Sequence, residues 1–221
     1  KITTFFTFAF SALFMLTPAQ AQSDRKVTNI NRGWLFHQGE SNPAITPEKA
    51  KAEGWKSVNL PHDFQIEQPW VAPAIDEKAN TSDAGANIKS RLSARGFKEM
   101  GSGWYVKAFT PSMDDKGKRI LIDFQGIMYL GDVYLNGKKI GGTDYGYVGF
   151  EIDITQNLRY GEENIIAVYS NTAAPINSRW YTGGGLFRDV NIVYTDAQLY
   201  FNRHPLNIST RDNRYVDMTV D

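Results

Sequence analysis

Asp132-Val133-Tyr134-Leu135-Asn136-Gly137-Lys138-Lys139-Ile140 is the stretch on which the reading of the fold turns. Two short runs rich in strand-forming residues flank an Asn-Gly pair. Both central residues of a two-residue type I′ turn need positive φ, and Asn and Gly tolerate it best. The stretch therefore predicts a tight antiparallel hairpin. Outward from it, Gly103–Phe109 and Arg119–Phe124 upstream read as strands, as do Phe150–Ile154, Asn164–Ser170 and Asp189–Tyr194 downstream. All are rich in β-branched or aromatic residues and are separated by Gly, Asn and Pro turns. Phe150-Glu151-Ile152-Asp153-Ile154 alternates with period two, which puts Glu151 and Asp153 on one solvent-facing side. Asn164–Ser170 is almost wholly apolar at its centre, as an interior strand should be.

Strands at this spacing with very little helix predict an all-β protein, an antiparallel β-sandwich of the jelly-roll kind. The predicted inter-sheet core is Trp34, Trp104, Phe124, Val133, Leu135, Phe150, Ile152, Ile166 and Val168. One short helix is expected, with Thr46 as N-cap, Pro47 in the first turn and Glu48–Glu53 after it. A short strand from Trp55 to Leu60 then meets Pro61-His62-Asp63, a turn in which Asp63 can bond nearby backbone amides.

The two ends have different compositions. Residues 1–21 carry a basic start, an apolar run from Phe5 to Leu16 and then Ala19-Gln20-Ala21. That is the pattern of a signal peptide cleaved after Ala21, and it predicts a secreted or periplasmic protein. The run is too short to span a bilayer as a helix. Residues 71–100 are polar and aperiodic, and are expected to be the least ordered part after the leader. Beyond Thr195, the runs Leu199–Phe201, Leu206–Thr210 and Tyr215–Val220 read as the first strands of a second sandwich. A sequence that starts without Met and stops within a strand reads as a piece of a longer protein. The expected organisation is a leader over 1–21, one sandwich over 22–195 and the start of another over 196–221.

Charge and composition narrow the partners. The chain has 24 Lys and Arg against 24 Asp and Glu, and losing Lys1 with the leader leaves 23 against 24, a net of −1. Such a balance recommends neither nucleic acid nor an anionic membrane. With no cysteine, stability must come from a buried core.

Chemistry-bearing residues gather in Ser178-Arg179-Trp180-Tyr181-Thr182-Gly183-Gly184-Gly185-Leu186-Phe187-Arg188-Asp189-Val190. Three glycines permit a tight turn. Arg179 offers forked donors, and Trp180 and Tyr181 offer flat apolar faces with polar tips. A sugar needs such parts, although aromatics beside a turn also serve as packing. His37, His62 and His204 are widely separated and lack metal-ligand spacing. No nucleophile elbow, phosphate loop or lone acid within an apolar run is present. No catalytic residue, metal ligand or cofactor is assigned.

Taken in order, Arg32-Gly33-Trp34-Leu35-Phe36, Leu60-Pro61-His62-Asp63, Gly101-Ser102-Gly103-Trp104-Tyr105, Phe124-Gln125-Gly126, Val133–Gly137, Gly146-Tyr147, Gly149-Phe150, Asn164–Val168 and Ser178–Val190 resemble a known pattern. It is that of the amino-terminal sugar-binding domain of glycoside hydrolase family 2, particularly its secreted bacterial β-galactosidases. The resemblance implies a galactose-binding-domain-like jelly roll, followed by an immunoglobulin-like sandwich and a (β/α)8 barrel. It also implies retaining hydrolysis of β-galactosides by two glutamates on that barrel, about 5 Å apart and outside this chain. By motif position Arg179, Trp180 and Tyr181 would border the sugar pocket, with Met100–Trp104 as a second edge. Phe64 stands where the family usually has Trp. Some members use an Asn and an Asp on these two loops to hold sugar or sodium. Met100 and Arg179 occupy those positions here, so no metal is carried over.

The implied partners are a carbohydrate and the protein's own barrel. A β-glucuronidase or β-mannosidase of the same family, a free-standing carbohydrate-binding module and a purely structural sandwich are the competing readings. An aromatic platform on one exposed sheet face would favour the module.

Overall fold

The computed structural model describes residues 25–71, 96–173, 181–203, 206–211 and 215–220. Among them are β1 (Lys26–Asn29), β2 (Trp34–Gln38), α1 (Pro47–Ala52), β3 (Lys56–Val58), β4 (Ser102–Phe109), β5 (Arg119–Phe124) and β6 (Leu130–Leu135). Then come β7 (Lys138–Thr143), β8 (Phe150–Asp153), β9 (Asn164–Asn171), β10 (Val190–Thr195), β11 (Leu206–Arg211) and β12 (Tyr215–Val220). The strands between β1 and β10 form two sheets, ordered β3-β2-β4-β9-β6-β7 and β1-β10-β5-β8, and every pairing is antiparallel. β11 and β12 form a separate two-stranded hairpin. The fold class read from the sequence, an all-β antiparallel sandwich, is the one observed.

Local chemistry sets the elements. Asn136 and Gly137 take φ of 51° and 81° between β6 and β7, the paired positive values of a type I′ turn. The Thr46 hydroxyl accepts from the Lys49 N–H at 3.3 Å, and Pro47 opens α1 behind that cap.

Between the sheets, Trp34, Phe36, Tyr105, Ile120, Ile122, Phe124, Val133, Leu135, Ile166, Val168, Val190 and Ile192 form the main core. Phe150 and Ile152 pack on its margin, partly buried. β9 is central to its sheet, flanked by β4 and β6, and its Ile166 and Val168 lose all solvent contact.

Trp104 corrects the expected register of β4. Its neighbour Tyr105 points between the sheets, while Trp104 joins a second cluster with Leu35, Ile45, Ala50, Trp55, Val106 and Ala167. Ala50 belongs to α1, so the helix lies over the outer face of β2 and β4 and buries that face too. A strand covered on both sides loses its period-two signature, which is why Gly103-Trp104-Tyr105-Val106 gave no reliable inside and outside.

Two further differences concern polar positions and the exit from the sandwich. Asp153 is open and pairs with Arg119 at 2.8 Å, but the Glu151 side chain is only 15% exposed, 3.6 Å from Arg25. Leu199–Phe201 is not a strand. In that exit segment Tyr200 lies under the Arg119 guanidinium, and Arg203 pairs with Asp123 on β5. The leader and residues 72–95 of the polar 71–100 stretch lie outside the described residues, and with them the expectation of low order there.

Replacing Ile166 by Ala removes three buried carbons at the centre of the main core. The expected loss of unfolding free energy is about 2–4 kcal/mol by urea titration. A loss below about 1 kcal/mol, the size of an exposed substitution, would contradict this register.

Candidate functional site

The glycine stretch folds against the Pro61-His62-Asp63-Phe64 turn, far upstream in sequence. The Asp63 carboxylate joins them. Its Oδ1 accepts the Gly184 N–H at 2.8 Å and the Gln65 N–H at 3.0 Å, and its Oδ2 accepts the Tyr181 hydroxyl at 2.8 Å. Backbone bonds reinforce the contact: the His62 N–H donates to Leu186 O at 2.8 Å and the Phe64 N–H to Gly184 O at 3.1 Å. On its other side Gly185 exchanges two backbone bonds with Met128, at 2.7 and 2.8 Å.

Such close approach explains the glycines. Gly183 has φ of 75°, and a Cβ there would stand 2.7 Å from Asp63 Oδ2. Gly185 has φ of 101°, and a Cβ would overlap the Tyr105 hydroxyl. Both positions combine a left-handed backbone with no room for a side chain. Gly184 lies between Thr172 and the Phe64 ring, where a Cβ would come 2.8 Å from Thr172 Cγ2.

Beneath the loop lies a polar pair, one member buried and the other half-buried. Tyr105 is fully buried, and its hydroxyl is 2.8 Å from His62 Nδ1. Burial raises the Tyr105 pKa well above 10, against the lowering effect of a backbone bond from Leu186. With the Leu186 N–H donating to the phenol oxygen, the phenol proton goes to His62 Nδ1, an assignment that rests on the bonding network. His62 therefore suits the neutral state. Its pKa is lowered from 6.5, first by burial and then by Lys56, with Glu67 and Asp63 opposing.

The edge so built has definite contents. Tyr181 is 37% exposed, and its pKa is raised by burial, by its bond to Asp63 and by the charge of that carboxylate. It is a persistent donor with a partly open ring face, not a base. Gly96 lies against the same ring, 3.7 Å from Cδ2 to the position of a Cβ. In the Met100–Trp104 stretch, Gly101 is tied to Thr172 through Thr172 N–H to Gly101 O at 2.8 Å and Gly101 N–H to Thr172 Oγ1 at 3.2 Å. The structure thus brings Tyr181 of the first predicted edge and Gly101 of the second to one end of the sandwich. Arg179 and Trp180 lie outside the described residues. Among the described residues, no group of three or more His, Cys, Asp or Glu is placed to hold a metal ion.

Asp63 is the residue that sequence reasoning undervalued. Its local bond to Gln65 is the turn chemistry the sequence suggested, but the bonds to Gly184 and Tyr181 span 121 and 118 residues. No local pattern announces such a partner.

Two outcomes are expected. Asp63→Ala leaves the Gly184 and Gln65 amides without their acceptor and should cost about 1–3 kcal/mol in urea unfolding, against a negligible change if the clamp is incidental. Acid should weaken the loop through His62. Its folded pKa lies below the ordinary 6.5, so the unfolded chain takes up the proton first. The stability due to neutral His62 is complete above pH 6.5 and is lost as pH falls through that value toward the folded pKa. Unfolding free energies at pH 7.5 and 5 should differ less in His62→Gln than in the parent chain. Equal differences would contradict it.

Comparison with known proteins sets this chain in a family. Residues 95–183 match the family described as glycosyl hydrolase 2 galactose-binding domain-like. The chain is 34% identical over 168 residues to the β-galactosidase BoGH2A of Bacteroides ovatus, covering 76% of this chain and 18% of that protein. It is 33% identical over 195 residues to a β-glucuronidase of Bacteroides fragilis, covering 86% of this chain and 23% of that protein. Among solved structures, a glycosyl hydrolase family 2 member from Bacteroides cellulosilyticus superposes with a TM-score of 0.63 at 31% identity, over 83% of this chain and 22% of that one. The chain thus spans about a fifth of the length of these relatives. Its sandwich, its matched segment and these relatives agree, and the chain belongs to glycoside hydrolase family 2, as the amino-terminal, galactose-binding-domain-like part.

Proposed function

We propose that this chain is the non-catalytic amino-terminal domain of a secreted, retaining β-glycosidase acting on β-galactosides, and that its Tyr181 edge borders the sugar pocket. The observation that carries the proposal is Tyr181 itself: Asp63 holds its hydroxyl at 2.8 Å while its ring stays 37% exposed beside Gly96. A side chain held in place before it meets a ligand loses little conformational freedom on binding. Arg179 would give paired donors to sugar hydroxyls, and Trp180 would offer its face to the C–H side of a pyranose ring.

In this proposal the two catalytic carboxylates, the barrel that carries them and an immunoglobulin-like domain beginning after residue 195 belong to the rest of the enzyme. Residues 1–21 direct export and are removed. A second reading, a β-glucuronidase, is favoured by the relatives of that name and by Arg179 itself, whose fork suits a uronate carboxylate.

Three outcomes are expected. The purified chain should not hydrolyse nitrophenyl β-galactoside; turnover abolished by mutating an acid within the chain would overturn the proposal. The full-length enzyme should prefer nitrophenyl β-galactoside to the β-glucuronide, and the reverse preference would establish the second reading. Arg179→Ala in that enzyme should lower kcat/KM about ten- to hundred-fold at an unchanged melting temperature, the loss of one charge-assisted hydrogen bond. Unchanged kinetics per folded molecule with a lower melting temperature would make Arg179 a structural brace.

A further inference from the structure

The outer face of the six-stranded sheet is covered unevenly. Over β2 and β4, α1 and its flanks bury Leu35, Trp104 and Val106. Over β9, β6 and β7, Tyr169, Tyr134 and Asp132 stay partly open and Lys139 is exposed. Register places these groups on one face, with Trp104 and Asp132 both opposite Tyr169, and Lys139 opposite Tyr134.

A cleft of about 490 Å³ opens there, with Asp132, Lys139, Thr143, Asp144, Tyr169 and Asn171 in its walls. Tyr169 is its aromatic surface. The ring packs against Trp104 at 5.1 Å between centroids, and its hydroxyl accepts the Asn171 Nδ2–H at 3.2 Å. Trp104 in turn lies 5.6 Å from Tyr134, so three aromatics form a continuous row. The walls supply acceptors in Asp132 and Asp144, a donor in Lys139, and groups of both kinds in Asn171 and Thr143. Lys139 Nζ pairs with Asp132 Oδ1 at 2.7 Å. Two carboxylates against one ammonium give the walls a net charge of −1 (1 − 2 = −1).

We infer that this cleft is a further saccharide site, whose walls share no residue with the Asp63–Tyr181 edge, and that it takes a neutral pyranose unit rather than a uronic acid. Tyr169 receives the apolar face of the ring, as aromatic side chains do. The polar walls meet its hydroxyls, whose need for donors and acceptors together is what Asn, Thr and carboxylates satisfy. The net negative charge repels a uronate. The inference goes beyond the activity proposed above, since it concerns binding without turnover.

The test is titration of the full, ¹⁵N-labelled chain with β-1,4-linked galactotetraose and, in parallel, tetragalacturonate. Saturable shifts are expected at the amides of Asn171, Gly142 and Asp144 with the neutral sugar, and little response to the acidic one. Tyr169→Ala should weaken binding about ten-fold, while Tyr169→Phe should keep most of it. Because Tyr169→Ala also loosens the packing on Trp104, the exposed Asp144→Lys supplies an independent reading. It should turn the preference toward the galacturonate without altering the fold. No shift at these amides, equal response to both sugars, or a preference unmoved by Asp144→Lys would each overturn the inference. So would binding by the chain that is lost in the full-length protein, which would assign the cleft to a neighbouring domain.

Discussion

The Asp63 carboxylate, shared among two backbone amides and one phenol, is the contact on which the candidate edge of this molecule depends. A carboxylate in this setting forms stronger hydrogen bonds than a neutral acceptor, and its two oxygens serve different segments. Oδ1 binds the start of its own short 3-10 turn and reaches Gly184, while Oδ2 holds Tyr181. The glycines let this happen, because any side chain at Gly183 or Gly185 would occupy the space of the partner. Tyr105 and His62 complete the arrangement from below, with the phenol satisfied on one side by His62 and on the other by Leu186. A loop of that composition would be mobile if left alone. Here it is bonded to residues 62–64 along one edge and to Met128 along the other.

The sandwich that carries this loop is asymmetric. Its main core is the interior between the sheets, but β4 and β9 also face a second apolar cluster under α1. β4 is covered on both faces and β9 over part of its outer face, and the two strands pair as far as Ser102 and Asn171, at the end that carries the candidate edge. The part of the outer face that α1 leaves open carries Tyr134, Tyr169, Asp132 and Lys139 beside Leu130 and Ile165. A partly open sheet face with that chemistry can bind as well as pack.

Much of this was legible because it is local. Asn136-Gly137 specifies its turn through the φ values it tolerates, and Thr46-Pro47 specifies a helix start through one hydroxyl and one missing N–H. The alternation of Phe150-Glu151-Ile152-Asp153 showed which side faces the core, although Glu151 is more enclosed than alternation implies. Trp104 was misplaced because α1 removes the polar side on which alternation depends. The candidate edge was legible in part. The glycines marked it and Tyr181 lies in it, but the clamp joins residues more than a hundred positions apart, and the sequence of neither segment names the other. Family resemblance supplied what periodicity could not, since the order of weak motifs along the chain is specific where each motif is not.

Amide hydrogen exchange across residues 181–186 probes the clamp most directly. A loop bonded through Asp63 and Met128 should show Gly184 and Gly185 protected to the degree of the central strand β9, with Gly184 losing protection more than Gly185 when Asp63 is replaced by Ala, which removes the acceptor of the Gly184 amide but not that of Gly185. Exchange of both glycine amides at the rate of an open, unbonded loop in the unsubstituted chain would contradict the claim that Asp63 fixes this edge.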